Sequence, residues 1–297
     1  MNVDNPGITA KKLQRIQRNA ASHWVGNGFP VRSLFNYSEI GPQISPFLLF
    51  DYAGPVDFPP TDDRLGVGEH PHRGFETVTI VYSGEVEHRD SSGGGGKIGP
   101  GDVQWMTAAS GIVHEEFHGQ DYARKGGPFE MVQLWVNLPA KYKMSQPRYQ
   151  SILDCQIPAV PLPGNQGTVR VIAGEFNGVK GPAKTFSPIH VWDMRIPGGQ
   201  TITLTLTEGH SAVLAILKGS VSINESNFIR EAEVAIFDQQ GDYIRFNSEQ
   251  DTTALLLSGR PLDEPIAGSG PFVMNTAEEI RQAKIDYQSG KMGHLAS

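Results

Sequence analysis

The chain has 297 residues, of which 38% are hydrophobic and 19% are charged, with 34 glycines and 21 prolines. This composition predicts a globular, turn-rich and β-rich protein with room for a sizeable core, and it argues against disorder except at the ends. The formal net charge of -7 provides no basic field for a phosphate backbone, so we expect no direct nucleic-acid binding.

The start of the chain and its cysteine content indicate a cytoplasmic protein. Residues 1–22 lack the apolar core of a secretion signal, and we expect them to form an N-terminal tail. The single cysteine, Cys155, has no intramolecular disulfide partner. The longest apolar runs are far shorter than the ~20 residues that a membrane helix requires, so we expect no membrane contact.

From about Val31 onward, short runs of β-branched and aromatic residues are separated by Gly, Pro, Asn and Asp. Such runs are typical of strands, and no helical patterns alternate with them, which argues against a doubly wound α/β fold. The stretch VTIVYSGEV (Val78–Val86) matches VLAILKGSV (Val213–Val221), and a Gly-Asp turn follows each copy, at Gly101 and Gly241. The chain is therefore predicted to be all-β, with two β-barrels of one ancestry.

The segment PAVPLPGNQG, residues 158–167, is rich in proline and glycine and is predicted to link the two barrels. This places the N-terminal barrel at residues 23–157 and the C-terminal barrel at residues 168–297. Near the end of the chain, Thr276 is a predicted N-cap with Glu279 three residues later, and Gly290 follows the last helical position. We expect one short C-terminal helix there, packed on a barrel.

The stretch GEHPHRGFETV, residues 68–78, contains two histidines on either side of one proline. Residues two apart in a strand face the same side, so His70 and His72 would present both imidazoles to one side. The same alternation would put Glu76 on that face, where Gly74 leaves room for it. This stretch therefore resembles half of a metal site.

A second stretch, GIVHEEFH, repeats this spacing, with His114, Glu116 and His118 two residues apart. If the two strands are neighbours in a small barrel, their imidazole and carboxylate groups converge on one interior point. A ligand set without thiolate suits Fe, Mn, Ni, Cu or Zn, so the ligand types alone do not name the metal. The remaining histidines lack such partners, and we expect them to be structural or solvent-exposed: His23, His88, His190, His210 and His294.

At these residues the sequence resembles the pirin family of bicupins, through the motifs HPHRGFETV, GDVQWMTAASGIVHEE, QLWVNLP and GPFVMNTAEEI in family order. The resemblance covers the chain from about His23 and implies two jelly-roll-like cupin barrels. It also implies an Fe(II) site in the N-terminal barrel, with Mn, Ni, Cu, Co or Zn as alternatives. The implied metal ligands are His70, His72, His114 and Glu116.

With that ligand set, Glu76 becomes a candidate for proton transfer, and His118 is expected at the rim of the site or behind a ligand. The C-terminal barrel has no HxH pattern, and a lone His210 beside a turn does not make a metal site. We expect that barrel to serve packing, or to cover the mouth of the first.

Three imidazoles and one carboxylate leave two adjacent positions of an octahedral metal open, which favours chemistry or sensing over a purely structural site. Pirin-like bicupins are similar to quercetinases, which cleave the heterocyclic ring of flavonols with O2 and release carbon monoxide. The resemblance thus implies a metal-dependent dioxygenase for a flavonol or similar phenolic enol. The candidate catalytic bases are Glu116 and Glu76.

A binding function is the alternative. Some pirin-like proteins are partners of transcription factors or metabolic enzymes, with the iron as a redox-responsive element. An acidic surface suits such protein contacts better than DNA contacts. A structural metal without turnover is a third hypothesis. The sequence does not separate the first two, because both use the same four ligands.

Overall fold

The computed structural model describes residues 8–18, 21–224 and 226–295. Contacts divide these residues into two compact units. The N-terminal barrel comprises residues 21–36, 47–156 and 262–295, and the C-terminal barrel comprises residues 8–18, 37–46 and 157–261 apart from residue 225. Within the described residues, no helix is both long and apolar enough to cross a membrane.

Strands account for most of the regular structure. Those in the first part of the chain are β1 (Leu13–Arg18), β2 (Ser22–Val25), β3 (Phe29–Asn36), β4 (Phe47–Phe58), β5 (Gly66–His72), β6 (Phe75–Ser83), β7 (Val86–Asp90), β8 (Gly95–Ile98), β9 (Val103–Thr107), β10 (Ile112–His118), β11 (Gly127–Asn137), β12 (Arg148–Ile152) and β13 (Ala159–Pro161). Those in the second part are β14 (Thr168–Ala173), β15 (Glu175–Phe176), β16 (Val179–Lys180), β17 (Ile189–Ile196), β18 (Thr201–Thr205), β19 (Ser211–Lys218), β20 (Ser220–Ile223), β21 (Asn227–Arg230), β22 (Glu233–Phe237), β23 (Tyr243–Ser248), β24 (Thr252–Gly259), β25 (Ala267–Ser269) and β26 (Phe272–Met274). The α-helices are α1 (Tyr37–Ile44), α2 (Gln120–Lys125) and α3 (Ala277–Gln288).

Two antiparallel sheets form the N-terminal barrel. Their strand orders are β12-β9-β6-β11-β4-β3-β2 and β5-β10-β7-β8. Phe29, Val31, Val86, Ile98 and Phe129 belong to one buried cluster inside it. Each such side chain contributes about 1.5–3 kcal/mol when it is removed from water, so the apolar positions of the strands determine which face turns inward.

The C-terminal barrel has the same plan. Its sheets have the orders β1-β22-β19-β24-β17-β14-β13 and β18-β23-β20-β21. In β18 the threonines are exposed, whereas Ile202 and Leu204 are buried, as the alternating sequence TITLT requires. Its interior is a large apolar cluster. The predicted all-β architecture of two barrels is therefore confirmed.

The internal repeat corresponds to equivalent pieces of the two barrels. Val78–Val86 runs from β6 into β7, and Val213–Val221 runs from β19 into β20. Gly84 and Gly219 lie between the two consecutive strands of each copy, at φ of 85° and 81°, a conformation that favours glycine. The glycine shared by both copies is thus the residue that the turn requires.

The predicted C-terminal helix is confirmed as α3. The Thr276 hydroxyl oxygen accepts a hydrogen bond from the Glu279 N–H at 3.2 Å, and Glu279 Oε2 accepts one from the Thr276 N–H at 2.9 Å. This reciprocal pair is a capping box. The helix buries Ile280 and Ala283.

The described parts of the first and last segments of the chain differ from the sequence-based expectation. Residues 1–22 were expected to be a tail, but β1 pairs antiparallel with β22 in the C-terminal barrel; residues 1–7, 19 and 20 lie outside the described residues. Segment 262–295, with α3, was expected in the C-terminal barrel but belongs to the N-terminal one.

Tertiary contacts explain the position of the C-terminal segment. Arg73 Nη1 forms a buried ion pair with Asp286 Oδ2 at 2.9 Å, and the Val273 N–H donates to the Arg73 carbonyl at 3.0 Å. The buried Lys143 ammonium donates to the carbonyl oxygens of Gly74 and Val273. Helical periodicity identifies α3 but carries no information about these long-range partners.

Candidate metal centre

Neighbouring strands β5 and β10 bring three histidines together. They pair antiparallel, with His114 opposite His70 and Ile112 opposite His72. The ring centroids are 4.9 Å apart for His70 and His72, 4.2 Å for His70 and His114, and 4.8 Å for His72 and His114. One nitrogen from each ring lies within 4.8 Å of the others, which is close enough for one metal ion to contact all three.

Glu116 lies two residues after His114 on β10, beyond a β-bulge in the pairing with β5. Its side chain is buried and accepts hydrogen bonds from two others. Oε1 accepts from Gln104 Nε2 at 2.7 Å and lies 3.3 Å from Thr79 Oγ1, and Oε2 accepts from Gln133 Nε2 at 3.3 Å. These donors hold the carboxylate in place. One carboxylate oxygen of Glu116 and one ring nitrogen each of His88 and His114 lie within 4.8 Å of one another. These three residues form a second cluster, which shares His114 with the first cluster of His70, His72 and His114.

The hydrogen bonds of the first cluster leave a ring nitrogen available on each imidazole. His70 Nδ1 contacts the Gly68 carbonyl oxygen at 2.8 Å, and His72 Nδ1 contacts the Pro271 carbonyl oxygen at 3.3 Å. A carbonyl oxygen only accepts, so both Nδ1 atoms carry the proton and both Nε2 atoms keep a lone pair. His114 Nε2 is buried and has no hydrogen-bond partner among the described residues. An orphaned buried acceptor beside two free lone pairs fits a metal ion.

A chain of hydrogen bonds supports His114 from behind. His88 Nε2 donates to Asp90 Oδ2 at 3.1 Å, and His114 Nδ1 lies 3.2 Å from His88 Nδ1. The carboxylate can only accept from His88, which leaves His88 Nδ1 as the acceptor of the His114 Nδ1 proton. Burial raises the pKa of Asp90, but hydrogen bonds from His88 and Ser92 outweigh burial, and the net pKa is lowered.

His88 was expected to be structural or solvent-exposed, and it is instead fully buried against a candidate ligand. Its ring stacks on Tyr149 with centroids 5.0 Å apart. The signal in the sequence was the spacing of His88 and Asp90, which are two residues apart on β7 and therefore face the same side. Only the register places them opposite Glu116 and His114.

Burial keeps two of the candidate ligands neutral. It lowers the pKa of His72 and of His114 well below the usual value, and the neighbouring imidazole of His70 lowers both further. A neutral imidazole is the form that binds a metal. The cluster therefore needs no deprotonation of these rings near neutral pH.

The structure contradicts the predicted position of Glu76. Its Cα pairs with Thr107 of β9, and Oε1 accepts from the Thr107 hydroxyl at 2.7 Å. The next residue, Thr77, pairs with Trp135, whose ring lies 5.4 Å from His72. Successive residues of a strand face opposite sides, so Glu76 lies on the face of the sheet away from the histidines.

Gly74 is the reason for this reversal. It has a φ of 90°, and a Cβ there would lie 1.9 Å from the Val273 carbonyl oxygen, so the position requires glycine. The chain bends between β5 and β6, and the alternation that begins at His70 is not continued. Phe75 faces the site instead, with its ring 5.1 Å from His72.

His118 lies in an aromatic cluster instead of beside the candidate ligands. Its ring stacks on Phe129 at 4.5 Å and lies 4.7 Å from Phe58. Its Nε2 contacts the Gly28 carbonyl oxygen at 2.8 Å. These contacts indicate a packing role.

A cavity of about 390 Å³ adjoins the histidines. Its polar lining consists of Asp51, His70, His72, Glu116 and Gln133. Its other lining residues are mainly apolar: Val25, Phe29, Val31, Val67, Met131, Trp135 and Pro271. This volume and this mixture of many apolar walls with few polar groups are typical of small-molecule sites. No sequence pattern pointed to Asp51 and Gln133, because their positions depend on the register of β4 and β11.

Relatives of this chain are found in bacteria and eukaryotes. The family profile Pirin matches residues 28–136, and the profile Pirin C-terminal cupin domain matches residues 191–293. A Pseudomonas aeruginosa protein named "Putative quercetin 2,3-dioxygenase" is 56% identical over 281 residues, which cover 95% of this chain and 98% of that protein. Pirin of Homo sapiens is 36% identical over 278 residues, with 90% and 89% covered.

A solved structure supports the same relationship. The crystal structure of quercetin 2,3-dioxygenase from Acinetobacter baumannii has 52% sequence identity and a TM-score of 0.94, covering 97% of this chain and 100% of that one. Matches of this extent, over both barrels, show that the chain belongs to the pirin family.

Proposed function

We propose that this protein is a metal-dependent dioxygenase that opens the heterocyclic ring of a flavonol or similar phenolic enol. The observation that carries this proposal is a cluster of three converging imidazoles, two of which, those of His70 and His72, line a largely apolar cavity. A structural metal site is closed by protein ligands, whereas a site that borders a cavity can also bind a substrate. The names of two close relatives suggest the same chemistry.

The proposed ligands are His70, His72, His114 and Glu116, and the proposed metal is Fe(II). Imidazole and carboxylate ligands also suit Mn, Ni, Cu, Co and Zn, so metal analysis has to identify the native ion. Four protein ligands do not fill the shell of a six-coordinate ion, and His70, His72 and Glu116 line the cavity, where a substrate oxygen would approach.

When bound, the metal would supply Lewis acidity toward the enol oxygen and a path for electron density to O2. The side chains of the site have separate tasks. Glu116 can accept the enol proton, while Gln104 and Gln133 orient its carboxylate. Trp135 and the other apolar walls exclude water from the opened ring. Both atoms of O2 enter the ring-opened ester, and one ring carbon leaves as carbon monoxide.

Reconstitution with metal tests this proposal. Metal-free protein is loaded anaerobically with one equivalent of Fe(II), mixed with quercetin and exposed to O2. We expect the flavonol absorbance band to disappear with matched O2 consumption and carbon monoxide release. Metal-free protein and the His114→Ala variant are the controls and should show no reaction.

A negative outcome would favour the alternative. If the Fe, Mn, Ni and Cu forms all leave quercetin and related flavonols unchanged, the dioxygenase proposal fails. A stable protein partner that co-purifies with the metal-loaded chain would then support a regulatory binding role.

A further inference from the structure

The cavity beside the histidines contains a second carboxyl group that the proposed chemistry does not use. Asp51 lies on β4, is only 8% exposed, and lines the same cavity as His70 and His72. It is neither a proposed metal ligand nor part of either histidine cluster. A buried carboxyl in a largely apolar wall costs free energy unless it has a partner, so its presence there requires a reason.

Hydrogen bonds from the described residues satisfy only part of this carboxyl. Ser33 Oγ donates to Asp51 Oδ1 at 2.5 Å. An ionised carboxylate has about four acceptor sites, so one hydroxyl leaves most of its capacity unused. Burial raises the pKa of Asp51, although the Ser33 hydrogen bond and the nearby His23 oppose this effect. A hydroxyl of a ligand would relieve the lost hydration.

The other polar group at this end of the cavity is already engaged. Gln133 lies directly opposite Asp51 on β11. Its Oε1 accepts from Thr79 at 2.6 Å, and its Nε2 donates to Glu116 at 3.3 Å. Both ends of its amide are therefore bonded within the protein. Among the charged lining groups, Asp51 is the one left to contact a ligand away from the proposed metal ligands.

The register places Asp51 on the strand beside Gln133. The backbones of these two residues are one strand spacing, about 4.8 Å, apart, and the Gln133 side chain contacts Glu116. A molecule with two aromatic rings carries oxygens at both ends and can extend past Gln133 from Glu116 to Asp51. One end would lie beside Glu116 and the histidines, and the other would reach Asp51.

We propose that Asp51 is a substrate-binding residue that accepts a hydrogen bond from a second hydroxyl group, remote from the enol oxygen, and thereby selects polyhydroxylated aromatic substrates. This inference rests on the proposed function for the position of the enol, and it narrows the substrate class. Apolar walls such as Phe29 and Met131 accept any planar ring, whereas a buried acceptor discriminates strongly between a ligand that carries a hydroxyl and one that lacks it.

Anaerobic binding to the full chain loaded with Zn(II) tests the proposal without turnover. The two probes are quercetin, which carries hydroxyls on both outer rings, and 3-hydroxyflavone, which carries only the enol hydroxyl. We expect Asp51→Asn to weaken quercetin binding roughly 10- to 100-fold and to leave 3-hydroxyflavone binding within about twofold. Asparagine preserves the size of the side chain and an acceptor for Ser33.

Glu130→Gln is a matched control. Glu130 is a carboxyl on the neighbouring strand β11, but it accepts a hydrogen bond from the Tyr52 hydroxyl on the opposite face of the sheet. This variant should bind both flavonols like the parent protein. Binding of 3-hydroxyflavone and Zn(II) content report whether the Asp51→Asn variant is folded.

The outcomes separate this inference from the proposed function. Equal losses for both flavonols, an unchanged quercetin affinity in Asp51→Asn, or no binding of quercetin by the parent protein would each overturn the role of Asp51. The dioxygenase proposal is judged independently, by O2 consumption of the Fe(II) form. If the parent protein prefers quercetin through Asp51 but its Fe(II) form consumes no O2, the role of Asp51 is supported and the dioxygenase proposal is refuted.

Discussion

Replacing His88 with phenylalanine tests the hydrogen-bonded chain behind the candidate metal ligands. His88 accepts the Nδ1 proton of His114 at 3.2 Å and donates to Asp90 at 3.1 Å. Phenylalanine can retain the stacking on Tyr149 but offers no acceptor. The His114 Nδ1 proton would then be buried without a partner whenever Nε2 binds the metal.

The expected loss follows from this single contact. An unsatisfied buried donor costs about 1–3 kcal/mol. Removing the hydrogen-bond partner of a metal-bound histidine typically lowers the metal affinity by about 10- to 100-fold, which corresponds to roughly 1.4–2.8 kcal/mol. His88→Gln should lose less, because its amide oxygen can accept from His114 and its amide nitrogen can donate to Asp90.

Competition with a chromogenic chelator near neutral pH measures the Zn(II) affinity, and the visible absorption of the Co(II) form reports on the ligand field. The control is His118→Phe, another buried histidine, whose ring stacks on Phe129. It should lower the free energy of unfolding by about 1 kcal/mol through the lost bond to Gly28, with metal affinity unchanged. Full metal affinity in His88→Phe, or an equal loss in His118→Phe, would refute the reasoning.

Three further predictions concern the ligands and the carboxylates. Elemental analysis should find about one equivalent of metal in the parent protein and little in His70→Ala or His114→Ala, because each change removes an imidazole of the cluster. Full retention of metal in both variants would exclude this site. Glu116→Gln should weaken metal binding and turnover together, since the amide keeps the size but not the charge, and normal turnover would exclude Glu116 as the base. Burial raises the pKa of Glu76 to about 7, so the folded state binds this proton more tightly than the unfolded state. The free energy of unfolding should therefore fall as pH rises from about 4.5 through about 7, by about 3 kcal/mol from this group alone. Glu76→Gln should remove that decline in denaturant titrations at several pH values without changing metal content, and an unaltered pH dependence would contradict the assignment.

Local patterns in the sequence were sufficient for several features. The pair His70 and His72 lies within one uninterrupted strand, so alternation correctly predicted that both rings face one side. The capping box of Thr276 and Glu279 is a contact within four residues, and it identified α3. The glycine in each copy of the repeat marks a turn that the backbone itself requires.

Tertiary structure decided the features that depend on chain reversal and strand register. Alternation holds only while a strand continues, and the bend at Gly74 turned Glu76 to the opposite face from His72. Helical periodicity identified α3 but not the barrel on which it packs, because the ion pair with Arg73 joins residues more than two hundred positions apart.

The lining of the site depends on register in the same way. His88 meets His114, and Asp51 meets Gln133, across neighbouring strands. A shift of one residue in either pairing would turn these side chains to the other face of the sheet. Sequence by itself identified three histidines, His70, His72 and His114, that lie close enough together to hold one metal ion. Packing of the strands determined which histidine supports His114 and which carboxyl lines the cavity, because these choices arise only when distant segments come into contact.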